Sequence, residues 1–290
     1  MLQGTITALI TPFKDGRVDE DSLRKLVDWQ IDKGVHGLVP CGTTGESATL
    51  DHSEHNRVID IVIEQTAHRV PVIAGAGSNS TWEAIKLTRH AKEAGADAAL
   101  LITPYYNRPT QEGLYRHYEE VAKAVDIPII PYNVPGRTGA DLSAKTMGRL
   151  AKIDNIVGLK DASNKIKQAL DTLDACNGDI ILLSGDDFSY LSLLAIGGRG
   201  GICVMSNLIP GEMAELYNAW IDGEPEEAKR IMLKYHPVSK CLYLDTNPIP
   251  VKWGAYKMGL CTDEIRLPLT PLAEEHRPVL EKEMKELGLI

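Results

Sequence analysis

The chain has 290 residues, of which 43% are hydrophobic and 24% charged, a composition that can bury a large core and argues against disorder. Its net charge of -9 and the lack of any basic run interleaved with aromatic residues argue against nucleic acid as a partner. Residues 1–12 contain no basic leader followed by an apolar stretch. No window approaches the roughly 18 consecutive apolar residues of a membrane helix, so we expect no membrane span and a cytoplasmic location.

The cysteines carry no signal for a metal site or a disulfide framework. They are odd in number, widely spaced and never form a Cys-x-x-Cys pair. We therefore expect five free thiols, several of them buried: Cys41, Cys176, Cys203, Cys241 and Cys261.

Eight short apolar runs, rich in β-branched residues, alternate with segments of helical periodicity. Each run has the length and composition of a buried parallel strand, and each intervening segment repeats apolar residues at 3.6-residue spacing. The predicted strands are residues 5–10, 37–39, 70–74, 98–103, 127–132, 156–160, 180–183 and 201–204.

Several helix ends are marked by capping residues. Asp51 followed by Glu54 predicts a capping box, and Thr110 stands where an N-cap residue is expected. Three glycines that follow helical stretches suit left-handed C-terminal caps: Gly34, Gly95 and Gly197.

The alternation of strands and helices predicts an α/β protein with a closed (β/α)8 TIM barrel. Eight strand-helix units at this chain length favour a barrel over an open, doubly wound sheet. Strand signals stop after Ala219, and the rest of the chain has the pattern of three helical stretches. We therefore predict a catalytic barrel over residues 1–223 and a C-terminal helical domain over residues 224–290, packed on the barrel.

Lys160 ends the sixth predicted strand, at the edge where the active sites of such barrels form. Burial disfavours the charged form of an amine, so a lysine desolvated there becomes a usable nucleophile for a carbonyl carbon. The ordinary alternative is a lysine that extends to solvent or pairs with a carboxylate such as the adjacent Asp161.

Polar residues follow other predicted strands at the same edge. The turn Gly42-Thr43-Thr44-Gly45-Glu46 can aim N–H groups and hydroxyls at a small anion. Tyr132 could move protons during Schiff-base chemistry, and the planar fork of Arg137 suits a carboxylate. Each has an ordinary alternative, namely a plain tight turn, a core tyrosine and a surface ion-pair donor.

Six motifs together resemble those of a known family. They are Gly42-Thr43-Thr44-Gly45-Glu46, Thr103-Pro104-Tyr105-Tyr106-Asn107, Tyr132-Asn133-Val134-Pro135 with Arg137-Thr138-Gly139, Gly158-Leu159-Lys160, Leu183-Ser184-Gly185-Asp186-Asp187 and Asn247-Pro248-Ile249-Pro250-Val251-Lys252. With these motifs the chain resembles the pyruvate-dependent class I aldolase superfamily typified by N-acetylneuraminate lyase, and within it most closely the dihydrodipicolinate synthase family. The resemblance covers nearly the whole chain.

The resemblance implies a lyase that condenses pyruvate with L-aspartate 4-semialdehyde to give 4-hydroxy-tetrahydrodipicolinate, the first committed step of the diaminopimelate route to lysine. It implies a Schiff base on Lys160, without a cofactor or metal, and a proton relay of Thr43, Tyr132 and Tyr106, with Tyr106 supplied by a neighbouring subunit. The implied substrate-binding residues are Thr44 for the pyruvate carboxylate, Arg137 for the semialdehyde carboxylate, and the backbone of Gly185 and Ile202 beside the Schiff base.

The resemblance also implies a homotetramer, a dimer of dimers, and possible feedback inhibition by L-lysine. The residues that match the lysine site of inhibited members are Ser47, Ala48, His52, His55, Asn79, Glu83 and Tyr105. Glu83 could pair with the lysine ammonium, and Asn79 and Tyr105 could hold its carboxylate. The ordinary alternative places His52, His55 and Glu83 on exposed faces of helix starts.

Two other functions stay open at this stage. A related pyruvate-dependent aldolase acting on a sugar acid, such as a sialic acid lyase or a 2-keto-3-deoxy-gluconate aldolase, would share the lysine and tyrosine. A catalytically silent barrel that binds pyruvate or lysine would have lost Lys160, Tyr132 or a relay residue, and none is lost.

Overall fold

The computed structural model describes residues 2–290, which form ten strands and twelve α-helices. The strands are β1 (Gly4–Ala8), β2 (Phe13–Lys14), β3 (Arg17–Val18), β4 (Gly37–Val39), β5 (Ile73–Gly75), β6 (Ala98–Ile102), β7 (Ile129–Asn133), β8 (Gly158–Asp161), β9 (Ile181–Ser184) and β10 (Gly200–Cys203). The helices are α1 (Glu20–Asp32), α2 (His52–Thr66), α3 (Thr81–Ala94), α4 (Gln111–Ala124), α5 (Pro135–Thr138), α6 (Ala144–Leu150), α7 (Ile166–Ala175), α8 (Tyr190–Ala195), α9 (Pro210–Ile221), α10 (Pro225–Cys241), α11 (Ile249–Lys257) and α12 (Arg277–Glu286).

The chain divides into two compact units. One contains Pro71–Ile202, and its parallel strands pair in the order β10-β9-β8-β7-β6-β5. The other contains Gly4–Val70 and Cys203–Ile290, and in it β1 pairs in parallel with β4. These eight parallel strands, with their helices, are those of a (β/α)8 barrel, so the predicted fold class is confirmed. Helices α10, α11 and α12 make the C-terminal helical part, while the predicted domain boundary after residue 223 stays a prediction.

The predicted strands agree with the observed ones to within a few residues, and the strand at Gly37–Val39 has the predicted bounds. The hairpin of β2 and β3 was not predicted. Its connection is Asp15-Gly16, and both residues have positive φ, at 53° and 76°. An Asp-Gly pair between short strands is typical of a two-residue hairpin turn, so the signal was present in the sequence.

The helix ends follow the predicted caps. The Asp51 side chain accepts from the backbone of Ser53 and Glu54, and the Glu54 side chain returns a bond to the backbone of Asp51, which confirms the capping box. Thr110 caps α4 through the N–H of Gly113. The three predicted cap glycines have left-handed φ values of 89°, 95° and 105°: Gly34, Gly95 and Gly197.

The core of the Pro71–Ile202 unit lies between the strands and helices α3, α4, α6, α7 and α8. Leu101, Ile129 and Leu182 are fully buried in it, and the buried hydroxyl of Tyr118 donates to the carbonyl of Leu101 at 3.1 Å. Parallel strands covered on both faces are held rigidly by such packing. The core therefore fixes the position of the residues at the strand ends.

None of the helices in residues 2–290 is long and apolar enough to cross a membrane.

Candidate active site

Lys160 and Tyr132 lie side by side at the carboxyl ends of neighbouring strands. They are register partners of β8 and β7, and the Nζ atom of Lys160 lies 4.0 Å from the centroid of the Tyr132 ring. Both residues are buried, with 6% and 7% of their surface exposed. The alternative in which Lys160 extends into solvent is therefore wrong. The structure brings the predicted nucleophile together with the predicted proton carrier.

The local sequence explains why this strand can hold a lysine so tightly. Gly158, where β8 begins, approaches β9 so closely that a Cβ atom there would lie 2.5 Å from the carbonyl oxygen of Ile181. The side chains of Ile156 and Leu159 are buried in the core beneath the strand end. Because both the backbone and its apolar neighbours are fixed, the strand end holds the base of the Lys160 side chain in one place.

The backbone that follows β9 runs beside Lys160. The N–H of Gly185 donates to the carbonyl of Asp161 at 2.7 Å, and a Cβ atom on Gly185 would lie 3.1 Å from Cε of Lys160. The same Cβ atom would lie 2.8 Å from Cβ of Ala162, closer than side chains normally approach, so glycine suits this position. Ile202 is buried on β10 directly after Gly201, the register partner of Ser184, so it lies level with Gly185. Gly185 thus lies beside the lysine, whereas Ile202 lies on β10, with β9 between it and β8. Their roles beside the Schiff base stay predictions.

Asp161, the carboxylate next to Lys160 in sequence, is also buried. Its side chain accepts hydrogen bonds from the backbone N–H and the hydroxyl of Ser163, at 2.9 and 3.1 Å. Burial raises the pKa of the Asp161 carboxyl, while the bonds from Ser163 oppose that rise. A second acid at this edge, Asp186, has its pKa raised by burial too.

Arg137 lies on the exposed loop that follows β7. Its helix, α5, starts at Pro135 and is a single short turn. Asn133 anchors the loop, because its side chain accepts from the N–H of Leu142 and donates to Asp141, each at 2.9 Å. The anchoring fixes both ends of the loop and leaves the guanidinium of Arg137 at the surface.

Tyr106 lies on the loop after β6 and is 90% exposed. It has a positive φ of 71°, and its N–H donates to the carbonyl of Thr138 at 3.4 Å. The loop is therefore tied to the one that carries Arg137. Within one chain, however, the Tyr106 ring is almost entirely uncovered, in contrast to the buried ring of Tyr132.

Thr43 and Thr44 belong to the other unit, in the tight turn after β4. The turn is closed by backbone bonds from Gly45 to Gly42 and from Glu46 to Thr43, both at 3.1 Å. Thr44 is buried, and its hydroxyl oxygen accepts from the side-chain amide of Asn247 at 3.0 Å. Thr43 is partly exposed.

The residues predicted to bind L-lysine are divided between the two units. In one, Ser47 and Ala48 lie in a single turn of 3-10 helix, His52 begins α2 at an exposed position, and His55 is buried. The idea that His55 lies on an exposed helix face is therefore wrong.

In the Pro71–Ile202 unit, the Asn79 side chain donates to the carbonyl of Tyr105 at 3.2 Å. The carboxylate of Glu83 accepts a hydrogen bond from the hydroxyl of Ser78. Asn79 and Tyr105 are thus neighbours, as their proposed shared role requires.

One feature of the Gly4–Val70 and Cys203–Ile290 unit was not predicted from the sequence. Glu46 and Lys252 form a buried ion pair, although they are 206 residues apart. The available signal was a lysine within the apolar segment Ile249–Lys257, because a buried charge requires a partner. Within residues 2–290, no group of three or more His, Cys, Asp or Glu side chains is placed to hold a metal ion.

Comparison with known proteins agrees with this arrangement. Residues 1–287 match the Dihydrodipicolinate synthetase family. A protein from Syntrophobacter fumaroxidans named 4-hydroxy-tetrahydrodipicolinate synthase is 53% identical over 291 residues, covering 100% of both chains.

Solved structures are similar over the same extent. A dihydrodipicolinate synthase from Acinetobacter baumannii complexed with pyruvate is 49% identical, with a TM-score of 0.98 and 100% of both chains covered. A homologue from Cyanidioschyzon merolae with lysine bound is 39% identical, with a TM-score of 0.96 and 99% of both chains covered. This chain belongs to the dihydrodipicolinate synthetase family.

Proposed function

We propose that this chain condenses pyruvate with L-aspartate 4-semialdehyde, through a Schiff base on Lys160, to give 4-hydroxy-tetrahydrodipicolinate. Membership of the family makes the chain an enzyme of the lyase class. The observation that carries the residue assignment is the buried amine of Lys160 over the ring of Tyr132. The reaction is the first committed step of the diaminopimelate route to lysine.

The chemistry begins at the amine of Lys160. Its neutral form attacks the keto carbon of pyruvate, and loss of water leaves an imine. Removal of a proton from the adjacent methyl group turns the imine into an enamine, whose carbon attacks the aldehyde carbon of the second substrate. The amino group of that substrate then attacks the imine carbon, closes the ring and releases Lys160.

Each of these steps requires a proton to move, and we assign that work to Tyr132, Thr43 and Tyr106. Tyr132 is the member beside the amine, so it would protonate the departing hydroxyl and accept the proton from the methyl group. Thr43 would link the two phenols, as the resemblance implies. A neighbouring subunit would supply Tyr106, and the exposure of its ring in a single chain supports this assignment.

The remaining residues bind the substrates. Thr44 would hold the carboxylate of pyruvate, and Gly185 and Ile202 would present backbone groups beside the imine. Arg137 would hold the carboxylate of the semialdehyde, since its planar guanidinium can form two parallel hydrogen bonds with a carboxylate. Arg137 is exposed on a surface loop, in contrast to the buried Lys160, which supports a role with the second substrate rather than with pyruvate.

We also propose that L-lysine inhibits the enzyme by binding at Ser47, Ala48, His52, His55, Asn79, Glu83 and Tyr105. The relative from Cyanidioschyzon merolae has lysine bound, and the contact between Asn79 and Tyr105 supports a shared role in holding a carboxylate. Addition of millimolar lysine to a coupled assay should lower the rate, and Glu83→Gln should weaken that effect. An unchanged rate would refute the inhibition.

We propose a homotetramer, built as a dimer of dimers, in the cytoplasm. A dimer is the minimum that could supply Tyr106 from a second chain. Light scattering on the purified chain tests the assembly, and cell fractionation tests the location. A monomer with full activity would contradict the assignment of Tyr106.

The decisive experiment is borohydride reduction in the presence of pyruvate. A reduced pyruvyl adduct is expected on the peptide that contains Lys160, absent from Lys160→Ala and present in the control Lys167→Ala, which alters an exposed lysine. Turnover with L-aspartate 4-semialdehyde, compared with sugar-derived aldehydes, then separates the synthase from the sugar-acid aldolase. Adduct formation with turnover of only the sugar-derived aldehydes would refute the proposed second substrate.

A further inference from the structure

Helix α11 carries a lysine that is more completely buried than Lys160. Lys252 is 1% exposed, and its Nζ atom lies 4.0 Å from the centroid of the Phe13 ring. The ammonium forms an ion pair with the carboxylate of Glu46, whose side chain is fully buried. Both charges therefore lie in the interior of the Gly4–Val70 and Cys203–Ile290 unit.

A buried ion pair is a weak means of stabilising a protein. Removing two charges from water costs about as much as their attraction returns, and a well-packed apolar pair of similar volume is often as stable or more so. Desolvation lowers the pKa of Lys252, and the carboxylate of Glu46 acts in the opposite direction. Stability alone does not account for this pair. Hydrogen bonds between charged groups are strong and directional, so the pair can fix the local geometry.

Glu46 is the last residue of the turn that contains Thr43 and Thr44. It has a left-handed backbone with φ of 53°, and its N–H donates to the carbonyl of Thr43. Its second carboxylate oxygen accepts from the backbone N–H of Arg266 at 3.2 Å. The side chain is thus held on both oxygens, and its fixed position determines how the turn ends.

Two further contacts hold the same turn. Asn247, close before Lys252 in sequence, donates from its side-chain amide to the Thr44 hydroxyl at 3.0 Å. The hydroxyl of Thr11 donates to the carbonyl of Gly45 at 2.7 Å. The segment that contains Asn247 and Lys252 therefore contacts the turn at two successive points, one at Thr44 and one at Glu46.

We propose that Glu46 and Lys252 are positioning residues that set the Thr43-Thr44 turn for the carboxylate of the keto-acid substrate. This inference rests on the proposed function, in which Thr44 binds that carboxylate. The pair acts through the turn and does not touch the substrate. It makes keto-acid binding depend on α11, far along the chain from the turn.

Paired substitutions separate positioning from stability. Lys252→Met with Glu46→Gln removes both charges and nearly preserves volume, so the double variant should stay folded. It should nevertheless raise the KM for pyruvate by roughly 10-fold to 100-fold, because a misplaced binding group is costly even when it is far from the chemistry. The KM for the aldehyde should change by less than about twofold, since its carboxylate is assigned to Arg137.

The control is Lys257→Met on the same helix, which alters a partly exposed lysine paired with Glu281 at 3.7 Å. It should leave both KM values unchanged. The half-saturation of pyruvate in borohydride trapping provides a second readout, which is independent of the aldehyde. It should rise in the double variant by the same factor as the KM.

A second variant covers the case in which the double variant fails to fold. Asn247→Ala removes the hydrogen bond to Thr44 and leaves the ion pair in place. It should also raise the KM for pyruvate selectively. If the double variant folds and has the pyruvate KM of the parent, the proposal is overturned. If the double variant does not fold, an unaltered pyruvate KM in Asn247→Ala overturns it. Failure of the proposed function looks different, since the parent itself would then form no adduct or would turn over only sugar-derived aldehydes.

Discussion

Two lysines among residues 2–290 are buried, and they differ in the group that lies next to the amine. Burial lowers the pKa of Lys252, and the paired Glu46 carboxylate opposes that fall by favouring the ammonium form. Lys160 lies over the phenol ring of Tyr132 at the end of a parallel strand. A carboxylate partner favours a charged amine that cannot attack a carbonyl, whereas a phenol can exchange protons with an amine. Burial alone therefore does not identify a nucleophilic lysine, and the neighbouring group does.

The largest expected effect comes from removing the proposed nucleophile. Lys160→Ala should lower turnover by roughly 10⁴-fold to 10⁶-fold, the range seen when a covalent catalytic group is lost. Lys252→Met should still form the pyruvate adduct at saturating pyruvate, because its amine has no covalent role. Mass spectrometry after borohydride reduction distinguishes the two lysines. An adduct on Lys252 in place of Lys160 would show that Lys252 is the nucleophile.

The next effect tests the phenol beside Lys160. Tyr132→Phe keeps the ring that lies under the amine and removes only the hydroxyl, so pyruvate trapping should persist while turnover falls by roughly 10²-fold to 10⁴-fold. Tyr118→Phe is a matched control, since it removes a buried hydroxyl bonded to the Leu101 carbonyl in the core. Steady-state kinetics of both variants provide the test. A rate for Tyr132→Phe equal to that of the control would remove the hydroxyl from the mechanism.

The ion pair should reveal itself in stability when only one partner is removed. Lys252→Ala leaves the Glu46 carboxylate buried without its ammonium, and we expect a loss of about 3 to 5 kcal/mol in the free energy of unfolding. Lys257→Ala, which removes a partly exposed charge, should cost less than about 1 kcal/mol. Urea denaturation measures both. Similar losses in the two variants would mean that burial of the pair has little consequence.

The same contrast explains what the sequence could reveal. Lys160 and Tyr132 were predictable because strand periodicity places both at strand ends, and the ends of parallel strands meet at one edge. The partner of Lys252 was not, because Glu46 is 206 residues away and any acid of the chain could have served.

The buried imidazole of His117 provides a third case, in which the free energy of unfolding depends on pH. Its expected effect is the smallest. His117 of α4 is buried, and its Nδ1 atom lies 3.0 Å from the hydroxyl of Thr81. Its Nε2 atom has no hydrogen-bond partner within residues 2–290, and desolvation lowers the pKa of His117 from 6.5 to about 4. Unlike Lys252, His117 has no carboxylate partner among the described residues 2–290 to favour its charged form, so the fold holds it neutral.

The pH dependence of stability follows from that shift. Between pH 6.5 and about 4 the unfolded chain binds a proton that the folded chain does not, so the free energy of unfolding should fall as the pH falls through this window. By pH 4.5 the parent should lose about 2 to 3 kcal/mol more than His117→Gln, whose side chain does not titrate. Urea denaturation of both proteins at pH 7 and pH 4.5 measures the difference. Equal losses would show that the imidazole can be protonated inside the fold, and that a buried cation in this unit needs no carboxylate.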